Sequence, residues 1–94
     1  MTDFAPYQKL ELSFNQPLAD LSKTWSTADI AFVRDIVAHA EFGEALENLI
    51  ALGVSKGREF DRGLMQRLED IAAPMGMNVA SMVRAARKLP SAAA

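Results

Sequence analysis

The chain contains no cysteine, which removes disulfides, thiolate metal sites and a cysteine nucleophile together. That composition fits a reducing compartment, and a cytoplasmic location is the expectation. Long apolar runs are also missing. The longest is Leu49-Ile50-Ala51-Leu52, extended only by Gly53 and Val54, whereas a membrane helix needs about 20 such residues. The opening Met1-Thr2-Asp3 has no basic, apolar leader of signal-peptide length, so no membrane partner is expected. Neither internal repeats nor low-complexity segments occur, apart from Ser91-Ala92-Ala93-Ala94 after Pro90, which reads as a frayed tail.

Groups for catalysis are equally sparse. His39 is the single histidine, and a metal site would have to join it to carboxylates such as Asp35 or Glu41. That spacing matches no familiar ligand motif. Gly53-Val54-Ser55-Lys56-Gly57 lacks the spacing of a phosphate loop and the strand that would precede one. No catalytic group, metal or cofactor is therefore expected, and the chain reads as one that acts by binding.

What is present is an ordinary globular composition: 94 residues, half of them apolar and 23% charged. This predicts one helical domain over residues 1–90, with 91–94 as its tail. The net charge of −2 hides an asymmetry. Residues 1–50 carry eight acids against three bases, and residues 51–94 carry four acids against seven bases. Such polarity can steer a charged partner to one side, or it can simply reflect solvated helix faces.

Periodicity predicts all-α structure, a compact bundle of four to five short amphipathic helices. In the first segment Tyr7, Leu10 and Phe14 fall at helical spacing, while Leu10, Leu12 and Phe14 also alternate as in a strand. A lone strand would have nothing to pair with, so helix is expected; Asp3 can cap it, and Pro17 is expected to end or bend it. A short helix over about 17–23 would follow, with Leu18 and Leu21 on one side. Ser26 and Asp29 are spaced as a capping box, and Trp25 and Ile30 as a hydrophobic staple. Behind them Ile30, Val33, Ile36, Val37 and Ala40 form a stripe, while Phe32 and His39 share a flank. A third helix is expected from residues 41–42 to about 52, with Phe42, Ala45, Leu46, Leu49 and Ile50 inward and Gly53 as its terminator. A fourth over about 61–73 turns Leu64, Leu68, Ile71, Ala72 and Met75 inward, closed by Pro74 and Gly76. Asn78 caps a fifth, with Val79, Met82, Val83, Ala86 and Leu89 as its stripe and Arg84, Arg87 and Lys88 outward. The methionines Met75 and Met82 lie on these stripes and read as gap-fillers more than as a binding surface.

On the third helix Glu44, Glu47 and Asn48 project away from the core stripe, with Glu41 at its margin. Glu41 can cap this helix and favour its dipole, with Phe42, Gly43 and Leu46 packing the corner. Glu44 and Glu47 have little to do in the core. The run carried by Glu41, Phe42, Gly43, Ala45, Leu46 and Glu47, together with a Met-Gly element (Met75, Gly76) closing the next helix, resembles the small helical immunity proteins of the MafI type. Those proteins protect bacteria from polymorphic toxins. The resemblance spans residues 30–77, about half the chain, and implies that the partner is a cognate toxin, of a class that includes many nucleases with basic substrate clefts. An acidic helical face can occupy such a cleft and exclude nucleic acid. The candidate contacts are Asp35, Glu41, Glu44 and Glu47, with Phe32 or His39 as flank anchor. Two rivals remain: a DNA-binding regulator using Arg84, Arg87 and Lys88, and a homo-oligomeric or adaptor module approached along Ala28, Ala31 and Ala38. The small basic cluster on an acidic chain argues against nucleic acid.

Overall fold

The computed structural model of the protein describes residues 5–88. Asp3, the Tyr7 side chain, Leu89 and the tail 91–94, all given roles above, lie outside the described residues. Five helices follow one another: α1 (Ala5–Leu21), α2 (Thr27–Ala38), α3 (Phe42–Ser55), α4 (Arg62–Ala72) and α5 (Val79–Lys88), with one 3₁₀ turn, Ala73–Met75, after α4. There is no strand among the described residues. The all-α bundle expected from periodicity is the fold.

The first helix departs from expectation. Pro17 does not end it, and no separate helix runs over 17–23: α1 is one helix of 17 residues with Pro17 inside. A proline in a helix interior costs about 3 kcal/mol, because it removes a donor and its ring crowds the preceding turn. Phe14, Pro17, Leu18 and Leu21 are all buried on one side, at the i, i+3, i+4, i+7 spacing of a single helix face. Breaking the helix at Pro17 would split that face, and each large apolar side chain gains about 1.5–3 kcal/mol from burial. The core outweighs the local penalty. Ser13, whose carbonyl loses its donor, is exposed to water.

The start of α2 follows the sequence closely. The Ser26 hydroxyl accepts from the Asp29 amide at 3.1 Å, and Trp25 and Ile30 are both buried. The Asp29 carboxylate takes its strongest partner from afar, accepting from the Lys56 ammonium just beyond the end of α3. At the other end of α2, Ala40 is not part of the core stripe; it is exposed, outside the helix, with φ of 59°. The α3 helix runs past Gly53, which is a buried helix residue and not the terminator. Phe60 lies against it, so that a Cβ at this position would sit 2.4 Å from the ring. The left-handed residue that ends α3 is Gly57, at φ of 66°.

Asp61 caps α4 by accepting from the Leu64 amide at 2.8 Å, Gly76 ends the 3₁₀ turn in a left-handed conformation, and Asn78 accepts from the Ser81 amide at 2.8 Å. α3 packs against both α2 and α5, and α1 packs against α4 and α2. Leu46, Leu49 and Ile50 of α3 are therefore sealed in the interior with Phe14, Leu18, Val33, Leu68, Ile71 and Val79. The Phe14 and Phe42 rings stack at 6.2 Å between centroids, within the range of favourable aromatic pairs. The expected inward positions Ile36, Leu64, Met75, Met82 and Ala86 are only partly buried, packed at the margin of this core. No helix among the described residues is long and apolar enough to cross a membrane.

Candidate functional site

The six residues singled out from sequence collect at the α2–α3 corner and along the outer side of the two helices that it joins. Three residues, His39 to Glu41, separate α2 from α3. His39 is the C-cap of α2: its amide donates to the Asp35 and Ile36 carbonyls, and its Nδ1 donates to the Asp35 carbonyl at 2.7 Å. The Asp35 carboxylate is 3.9 Å from the same nitrogen. These contacts hold the His39 imidazole above its ordinary pKa: the Asp35 carbonyl contributes most, then the Asp35 charge, with a smaller push from Glu41. Both side chains remain open to solvent.

Glu41 stands at the N-cap position of α3 but makes no side-chain capping bond, so the expected cap is not formed. Its carboxyl group lies beside that of Glu44, and this neighbour raises the Glu44 pKa by its proximity and charge, helped by partial desolvation and by the charge of Glu47. Asn48 donates to the Glu44 carbonyl at 2.8 Å. Phe42 and Leu46, beneath these acids, are buried as expected. Glu41, Glu44 and Glu47 thus line one exposed edge of α3 as like charges close enough to perturb each other. Phe32 lies two turns before His39 on α2 and is 49% exposed, an unusual exposure for a phenylalanine.

The other acids of the N-terminal half behave differently. Arg67 donates to the Asp20 carboxylate at 3.0 Å, and Lys56 pairs with Asp29. Part of the charge asymmetry is thereby neutralised within the fold. Glu41, Glu44 and Glu47 have no lysine or arginine within ion-pair distance among the described residues, and Asp35 has only His39. No three His, Asp or Glu side chains among the described residues are gathered as a cation site.

No family model, curated protein or solved structure matches the chain. The residues themselves therefore carry the assignment of this edge.

Two features escaped sequence reading. Leu12 on α1 is 65% exposed, although alternation of Leu10, Leu12 and Phe14 was a visible sign that one of them would not fit a helical stripe. A cleft of about 600 Å³ opens where the end of α1 meets the start of α4, walled by Trp25 and Leu64 and crossed by Arg58 and Arg67. The Arg58 guanidinium sits 4.9 Å from the Trp25 ring centroid and donates to the Thr24 carbonyl at 3.3 Å. Arg67 is held by Asp20. Both arginines are engaged in joining distant segments, and Arg58 lies outside any helix, so no periodicity could have placed it on Trp25.

Proposed function

We propose that this chain is an immunity protein, which binds a cognate bacterial toxin and neutralises it by laying the acidic edge of α3 over a basic surface that the toxin uses for its substrate. The observation that carries this reading is the set Glu41, Glu44 and Glu47: exposed carboxylates, mutually repelling, with no lysine or arginine within ion-pair distance among the described residues. A cationic partner surface relieves that repulsion and gains attraction, which favours fast, salt-sensitive encounter. The resemblance of the Glu41–Glu47 run to MafI-type immunity proteins supports the same reading. Phe32, exposed on the adjoining helix, supplies an apolar anchor of the kind that interfaces bury at their centre.

The test begins by recovering partners of the tagged protein from its native cells. A secreted protein with a toxic C-terminal domain, inhibited by the purified chain, is the expected result. Against that toxin the double variant Glu44→Lys, Glu47→Lys should slow association by about tenfold or more at low salt, with a smaller change in dissociation. Unchanged association at low salt would remove the acidic edge from the interface, and lack of any inhibition would remove the immunity role. Recovery of nucleic acid, released by substituting Arg84, Arg87 and Lys88, would favour a regulator instead.

A further inference from the structure

Between α3 and α5 runs a shallow groove of about 300 Å³, lined by Glu47, Ile50 and Ala51 on α3 and by Met82, Ala85 and Ala86 on α5. Its volume is at the lower limit of ligand clefts, about 300–1,000 Å³, which suits one long side chain better than a whole helix. Five of its six lining residues are apolar. The sixth, Glu47, has no cation within ion-pair distance among the described residues. No lysine or arginine contributes to the lining, so nothing in the groove competes for that carboxylate. Met82 is only partly buried, and its unbranched thioether can adjust to an occupant.

An apolar channel ending on an unneutralised carboxylate calls for a group that is apolar along its length and cationic at its tip. Arginine and lysine both have that form. Arginine fits better, because its guanidinium is weakly hydrated and forms paired hydrogen bonds to a carboxylate. We propose that the groove between α3 and α5 accepts one arginine side chain of a basic protein partner, with its stem on Ala51, Met82 and Ala86 and its guanidinium on Glu47. This site rests on the reading of the α3 edge as a partner-binding surface. It adds a specific pocket to what is otherwise a diffuse field, and it shifts the centre of the interface from the α2–α3 corner toward α5.

The experiment uses the full chain and a defined probe: an acetylated, amidated alanine-rich peptide with a single arginine, against the same peptide with citrulline, its uncharged isostere. Methyl resonances of Met82 and Ile50 report on the groove, and those of Met65 and Met75, which do not line it, serve as controls. Saturable shifts confined to Met82 and Ile50 are expected with the arginine peptide. Citrulline, or Glu47→Gln in the protein, should weaken binding by about twofold to fivefold, the scale of one solvent-exposed ion pair. Ala85→Leu, a change at an exposed helix position, should fill the groove and abolish the shifts. Equal affinity for both peptides, absence of a saturable shift at Met82, or equal shifts at Met65 and Met75 would overturn the proposal. So would shifts that grow with protein concentration in the absence of peptide, which would give the groove to a second copy of the chain. Because the probe is not a toxin, failure of the immunity reading would leave a positive titration standing, and a failed titration would leave toxin inhibition untouched.

Discussion

At the end of α3 the Gly57 amide donates to the Val54 carbonyl and the Arg58 amide to the Gly53 carbonyl; at the end of α2 the Ala40 amide donates to Val37 and the Glu41 amide to Ile36. The two corners use the same pair of reverse bonds, the Schellman arrangement, which requires a left-handed residue just past the helix. Gly57 meets that requirement freely at φ of 66°, whereas at the α2–α3 corner the residue is Ala40, at φ of 59°. A non-glycine residue in this region costs roughly 1–2 kcal/mol. The difference shows where the surrounding fold over-determines the backbone. The α3–α4 connection has six residues between helices, and nothing packs within 4 Å of where a Cβ at Gly57 would stand, so its turn rests on the conformational freedom of glycine. The α2–α3 connection has three, set between buried Val37 and buried Phe42, and the burial on either side holds alanine where glycine would be easier. The strained corner is also the one that positions His39 and Glu41 at the candidate edge.

The largest effect should come from Gly53→Ala, which tests whether the glycine corner depends on a second glycine. The added Cβ meets the Phe60 ring, and overpacking of this kind costs about 1–3 kcal/mol, set against the helix-propensity gain of alanine over glycine, about 1 kcal/mol. For a domain of this size each kcal/mol lowers the melting temperature by about 4–8 °C. A melting temperature that rises would mean that the ring swings away without cost. Next, the two left-handed positions should respond with opposite sign. Gly57→Ala should destabilise by about 1 kcal/mol. Ala40→Gly should stabilise by up to about 1 kcal/mol, as relief of the left-handed backbone exceeds the extra chain entropy of glycine. Denaturant midpoints for both variants check this, and a loss of stability in Ala40→Gly would break the comparison.

The smallest effects concern pH, and they set the two ends of α2 against each other. The Lys56 hydrogen bond, aided by its charge and by Ser26, holds Asp29 below its ordinary pKa of 3.8. Its contribution to stability is present above that value and fades as pH falls through the lower, folded value. His39 is raised above 6.5, so its contribution is complete below 6.5 and fades as pH rises through the higher, folded value. Stability measured across pH should therefore lose the part of its acid-side dependence that Asp29 supplies in Lys56→Met, and the part above neutrality that His39 supplies in His39→Gln. If His39→Gln leaves the upper limb of the profile unchanged, the imidazole is not engaged at the helix end in solution.

The same contrast between local and distant causes separates what was legible in the sequence from what was not. Of the candidate site, the exposure of Glu44 and Glu47 and the burial of Phe42, Ala45 and Leu46 followed from angular spacing alone. That Glu41 makes no capping bond to α3 did not, because the cap depends on backbone and side-chain geometry at the corner. Nor could spacing show which acids the fold neutralises: Asp20 and Asp29 find Arg67 and Lys56 at 47 and 27 residues' distance, and the acids of the α3 edge have no base in ion-pair reach among the described residues.

The sequence by itself determined the helical class, the centres of the buried stripes from α2 to α5, the Ser26 and Asn78 caps and the stop by Gly76, since each depends on residues within about one or two turns of each other. The tertiary structure alone decided that α1 continues through Pro17, that α3 passes Gly53 and ends at Gly57, that Ala40 adopts a glycine-like backbone, and that Arg58 covers Trp25. In each case a local preference worth a few kcal/mol or less met side chains brought in from elsewhere in the chain, and burial of those side chains outweighed it.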